Sequence, residues 1–256
     1  MTVSRRTFLL AAGSATLAAC THAAHRAATR RPPVRAPRAT TTSPTAPETT
    51  TPPPGSAARF IRSGPTSANV VALTFHGSGD IALATELLDA ARAGGAALTI
   101  FAVGRWLDEN PDVARRVLDA GHELANHTYT HPALGGLGAS RVADEIVRCR
   151  DALARYAGGP GRWFRPSGIE VPTQLMLTEA GRAGYPTVVG YDVDPRDYQD
   201  PGAPQIAARV RAGLHPGAIV SLHTGHEGTV AALPTILDAV AASGLHTVTV
   251  HQLLDR

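Results

Sequence analysis

The sequence predicts an α/β fold, a distorted parallel (β/α) barrel of seven or eight units that forms a single domain after a disordered tether. Three observations predict it. From Asn69 onward, short apolar runs alternate with helical patterns, the signature of βα units and a parallel sheet. Polar residues without a structural task cluster where those runs end, and in a parallel barrel all such ends lie on one face. The first fifth of the 256-residue chain has neither feature and a different composition.

Residues 1–20, MTVSRRTFLLAAGSATLAAC, have a basic start, an apolar run from Phe8 to Ala19 and small residues before a cysteine, the grammar of an export signal. The run is shorter than the roughly 20 residues that span a bilayer. SRRTFLL is similar to a twin-arginine signal, and LAAC to a lipobox in which Cys20 would be lipidated and become the mature N-terminus. A Sec-type signal with an incidental cysteine is the alternative. Residues 21–58 are rich in Thr, Pro and Ala without apolar periodicity, so they read as a disordered tether with a reach of roughly 100 Å. Residues 59–256 are then the folded domain, exported and either lipid-anchored on the outer face of the cytoplasmic membrane or secreted, and expected to be a monomer. Seven arginines and one glutamate lie in the first 58 residues; with a formal charge of +3 overall, residues 59–256 carry −3. The basic balance belongs to leader and tether, which argues against a nucleic-acid groove in the domain.

The elements follow in order. VVALTF reads as a buried strand and IALATELLDAARAGG as its helix. ALTIFAV pairs with PDVARRVLDAG, HELAN with RVADEIVRCRDALARYAGG, RWFR with PTQLMLTEAGRAG, PTVVGYDV with PQIAARVRAG, and AIVSLH with TVAALPTILDAVAASG. HTVTV is the last strand. Cys149 shares a helical stripe with Val142, Ile146 and Leu153, which marks it as core. Trp106 and Trp163 also read as core.

The strand ends carry the chemistry. His76 and Asp80 follow the first run, NHTYTH the third, RPSG the fourth, DPRD the fifth and HTGH the sixth. His127 and His131 have HxxxH spacing, which on a helical turn sets both imidazoles on one side, as a metal needs; alone, the pair also reads as two surface histidines. WFRPSG, YDVDPRDY and AIVSLH come next, and with the first strand they resemble the polysaccharide deacetylase family, also called the NodB-homology domain or carbohydrate esterase family 4. The resemblance covers nearly all of residues 69–254. It implies a divalent metal, usually zinc, held by an Asp and two His, and hydrolysis of N-acetyl groups on an amino-sugar polysaccharide. By this resemblance His127 and His131 match the metal histidines, and Arg165 an arginine that orients the catalytic base. Asp197 matches an acid that tunes the catalytic histidine, and His223 that histidine, the general acid. Tyr198 stands where the family prefers Trp, and Thr224 where it often has Asp. A backbone N–H near Tyr129 would hold the oxyanion, and Tyr198 and His226 would line the sugar groove.

The first motif departs from the family. Where the family has TFDDG, a base Asp followed by a metal Asp, this chain has TFHGSG, so His76 replaces the base and Gly77 the metal ligand. Zinc hydrolysis needs about three protein ligands and an open position. Asp80 is the nearest acid downstream, and Gly77 and Gly79 allow a tight return, so Asp80 is the expected third ligand; its other reading is the cap of the helix it precedes. His76 is then the base, or itself a ligand, since carboxylate and imidazole both suit zinc. The resulting expectation is an exported metal-dependent deacetylase. Its rival is a sugar-binding protein that kept the barrel and lost catalysis.

Overall fold

The computed structural model describes residues 56–255, which belong to one compact unit. The expected export signal, the lipidated Cys20 and almost all of the tether lie outside the described residues. Packing begins slightly before the expected domain start: Ala58 is buried against Met176 and Ala180, and its N–H donates to Leu177 O at 2.8 Å.

The elements run β1 (Arg59–Ile61), β2 (Val70–Gly77), α1 (Ile81–Ala93), β3 (Leu98–Ala102), α2 (Gly104–Glu109), α3 (Pro111–Asp119), β4 (Glu123–Asn126) and α4 (Ala139–Ala157). They continue with α5 (Gln174–Arg182), β5 (Thr187–Val189), α6 (Ala203–Gly213), β6 (Ile219–His223), α7 (Glu227–Ala242), β7 (His246–Thr247) and α8 (Val250–Leu254). β2 is central, parallel to β3 on one side and β6 on the other, and β4 extends the sheet beyond β3. β7 pairs with the start of β2, and β1 pairs with β5. Isolated bridges carry the ring onward, from Asn126 to Phe164 to Val188, and from Val193 to Val220 on β6. The barrel is therefore closed, but its far wall is held by single bridges where regular strands were expected.

Three expected strands shrink, and of PTVVGYDV only Thr187–Val189 remains. RWFR contributes only the bridge at Phe164, because Pro166 has no N–H with which to continue a ladder. HTVTV pairs over two residues only. Thr249 then starts a helix with a reciprocal cap, its side chain accepting from Gln252 N–H while the Gln252 side chain accepts from Thr249 N–H, and this local box overrides the β-branched composition.

The outward face of β2, with Leu73 and Phe75, packs beneath α1 and α7, whose Leu87, Leu88 and Ile236 are buried with it. Full burial of each such side chain contributes on the order of 1.5–3 kcal/mol. The α4 stripe is buried as its period predicts, and Cys149 Sγ–H points to Ala102 O at 3.3 Å. Trp106 and Trp163 are both buried.

Candidate active site

The alternation of β2 sends Thr74 and His76 into the barrel. Its register with β6 sets His76 opposite His223, so two imidazoles 147 positions apart meet, with His76 Nδ1 2.9 Å from His223 Nε2. The GSG segment serves this meeting. Ser78 N–H donates to Thr224 Oγ1 at 3.1 Å, and the Thr224 hydroxyl donates to Ser78 O at 2.7 Å. Gly79 has φ +85, and a Cβ there would lie 2.9 Å from Gly225 Cα, so only glycine lets the loops after β2 and β6 touch.

Asp197, in the short turn after β5, is fully buried. Oδ1 accepts from His223 Nδ1–H at 2.8 Å, while Oδ2 accepts from His223 N–H at 2.8 Å and the Thr229 hydroxyl at 2.6 Å. An ionised carboxylate only accepts, so Nδ1 of His223 carries the hydrogen and the neutral ring offers Nε2 as an acceptor. His76 Nδ1 then donates to it, which leaves His76 Nε2 bare, 3.5 Å from Ser221 Oγ. The result is one ordered chain, Asp197 to His223 to His76.

The NHTYTH segment is not the helical turn its spacing suggested. Thr128 and His131 have φ of 69 and 59, and the loop they form is clamped by Glu145 from α4. The Glu145 carboxylate accepts from the N–H groups of Tyr129 at 2.9 Å and Thr130 at 2.7 Å, and from the Thr130 hydroxyl at 2.7 Å. The loop still brings the two rings together, with centroids 4.9 Å apart, and the His127 ring also lies 4.2 Å from that of His76. His127 Nδ1 donates to Arg165 O at 2.9 Å, and its Nε2 is buried without a hydrogen-bond partner. Burial pushes His76 and His127 well below the usual imidazole range, reinforced by the neighbouring rings and Arg165. It lowers His131 less strongly, with His223 adding to the effect.

Around these groups lies a cavity of about 580 Å³, lined among others by His76, His131, Tyr191, Tyr198, His223 and His226. Tyr198 is half exposed and its ring sits 5.5 Å from that of His223. His226 pairs with Asp200 at 2.8 Å on the rim. Tyr191, Ser221 and Arg196 also line this space; sequence reasoning missed them because nothing in their local pattern separates them from loop or strand residues.

Three expectations are corrected. Asp80 does not join the histidines: it caps α1, its Oδ1 accepting from Ala82 N–H at 2.6 Å, and it is exposed. Tyr129 does not offer its N–H to an oxyanion, because Glu145 holds that group, and its hydroxyl is spent on Asp108 at 2.7 Å. Arg165 does not hydrogen-bond to His76, the expected base. Its guanidinium, buried and pushed down to about 9 by that burial, donates to Val189 O, Gly190 O and Thr74 Oγ1 and lies 4.0 Å from the centre of the Phe101 ring. It pins the weak wall of the barrel to β2.

The expected ligand set of Asp80, His127 and His131 is likewise not assembled. The bare Nε2 of His127 is the kind of nitrogen a metal takes, and His131 lies beside it, but among the described residues no three His, Cys, Asp or Glu side chains form a set that could hold an ion. The residues present do not fit the three-ligand zinc site that the resemblance implied.

Residues 63–188 match the family described as polysaccharide deacetylase. A peptidoglycan-N-acetylglucosamine deacetylase of Bacillus cereus is 32% identical over 194 residues, covering 74% of this chain and 90% of the relative. The chain belongs to the polysaccharide deacetylase family. A chitooligosaccharide deacetylase of a Bradyrhizobium species is 34% identical over 165 residues, 61% of this chain and 71% of the relative. Among solved structures, a peptidoglycan N-acetylglucosamine deacetylase bound to a hydroxamate-type benzamide superposes with a TM-score of 0.71 at 26% identity, covering 77% of this chain and 92% of that one. A family pseudoenzyme from Bacillus anthracis superposes with a TM-score of 0.73 at 26% identity, covering 78% and 70%. This polysaccharide deacetylase domain thus shares its overall fold with the solved deacetylase and pseudoenzyme.

Proposed function

We propose that the chain removes N-acetyl groups from an amino-sugar polysaccharide of the cell wall or surface. The observation that carries this reading is the Asp197–His223–His76 chain opening onto the cavity beside Tyr198. Tyr198 offers an apolar face on which a sugar ring can stack. The bare Nε2 of the neutral His76 takes a proton from a water held over the acetyl carbon, and His76 Nδ1 can hand its own proton to His223 Nε2. His223, oriented through Nδ1 by Asp197, then delivers a proton to the departing amine. Acetate and a free amino sugar leave.

The test is acetate release from N-acetylglucosamine oligomers and from wall polymer. His223→Ala should reduce it by about 10²-fold or more. Wild-type protein that binds these polymers and releases no acetate would favour a second reading, a family member that binds sugar without cleaving it. The loss of the first-motif acids supports that second reading, as does the likeness to the pseudoenzyme.

The signal-like leader supports an exported, lipid-anchored protein, with Cys20 as the lipidated residue. Cys20→Ser should move the protein from the membrane fraction to the soluble one, and unchanged membrane retention would sink the anchor.

A further inference from the structure

We infer that the pocket is committed by its packing to work without a carboxylate-held metal, because position 77 is closed to any side chain. Gly77 is the last residue of β2, and its neighbours on the same face, Leu73 and Phe75, point outward into the layer under the helices. His76, on the opposite face, points to His127 and His223. A side chain at 77 therefore leaves the sheet on the side away from the imidazoles.

That side is full. A Cβ at 77 would lie 2.7 Å from Ile100 Cγ2, 3.2 Å from Ala102 Cα and 3.2 Å from Trp106 Cζ3. Ile100 is a buried, β-branched residue in mid-strand and has few rotamers to retreat into. Trp106 is held by its indole N–H, which donates to Gly79 O at 3.0 Å. The backbone of residue 77 cannot turn to relieve the clash, since its carbonyl accepts from Val103 N–H at 3.0 Å and its ladder partner is Ala102. The glycine is thus part of a repacked wall, and the indole that fills the wall also fixes the loop leading to Asp80.

With position 77 closed and Asp80 engaged as a cap, neither of these two positions brings a carboxylate to His127 and His131. This inference is independent of whether the bound sugar is deacetylated, because it is read from metal content and unfolding.

The experiment measures bound zinc after dialysis, and the unfolding temperature in chelator, for the wild type, Gly77→Asp, Gly77→Ala, Ile100→Ala and the Gly77→Ala/Ile100→Ala pair. Gly77→Asp should retain no more zinc than the wild type. Gly77→Ala should melt about 3–10 °C lower than wild type, and the same change should cost clearly less in the Ile100→Ala background. If Gly77→Asp does not fold, the alanine series still decides the matter. Stoichiometric zinc gained by Gly77→Asp over the wild type would overturn the inference, as would a Gly77→Ala cost that is negligible or unchanged by Ile100→Ala.

Discussion

Arg165 shows how a residue expected to serve the site can serve the fold instead. A buried cation without a carboxylate partner is costly, and here three neutral acceptors, two consecutive carbonyls at the end of β5 and a hydroxyl on β2, offset that cost. Arg165→Met should therefore act on the fold, stripping the Val189 and Gly190 carbonyls and the Thr74 hydroxyl of their guanidinium donors and lowering stability by about 3 kcal/mol or more, a loss of roughly 6–12 °C in melting temperature. A melting temperature within a degree or two of wild type would show that the guanidinium is not a structural pin. Cys149 makes the complementary case. Burial pushes its thiol up to about 12, so it stays protonated at pH 8, and iodoacetamide should label it only after unfolding. Rapid labelling of native protein would contradict its place beneath Ala102.

At the scale of elements, what was legible followed from period and what was hidden followed from loop geometry. The β2, β3 and β6 runs and the α4 stripe were readable because burial imposes alternation or 3.6-residue spacing on them. The loop at 127–131 was not, because its left-handed residues are stabilised by Glu145, a long-range clamp that looks in sequence like any charged residue on an amphipathic helix. Glu145→Ala leaves the partly buried N–H groups of Tyr129 and Thr130 without their acceptor. It should cost about 2 kcal/mol or more and impair sugar processing without touching the cavity. Asp80 erred in the other direction, since capping and ligation both call for an acid just before a helix. Asp80→Ala should cost about 1 kcal/mol and lower the melting temperature by about 2–4 °C. Polymer turnover should stay unchanged, and a large loss of turnover would restore Asp80 to the site.

For the whole molecule, the sign of the imidazole shifts fixes the response to acid. His76, His122, His127 and His131 are all pushed down, chiefly by burial, so the folded state holds them neutral while the unfolded chain protonates them near their ordinary value of about 6.5. Below that pH the unfolded state binds more protons and stability falls. The melting temperature should therefore be lower at pH 5.5 than at pH 7.5, and a flat profile would mean that these rings are not buried in neutral form. The barrel itself was predictable because βα alternation permits few closures. Its seam was not, because single bridges leave no periodic trace in sequence.

The contact between His76 and His223 spans 147 positions of chain. Loop closure over such a separation is entropically expensive and must precede any reward from the pairing it brings. The neighbouring β2–β3 ladder joins residues only about 25 positions apart and can form early. Chemical competence therefore arrives late in folding, when β6 docks on a β2 that is already paired. Until then, a partly folded or prematurely terminated chain carries His76 without its proton partner and has no working site to misapply.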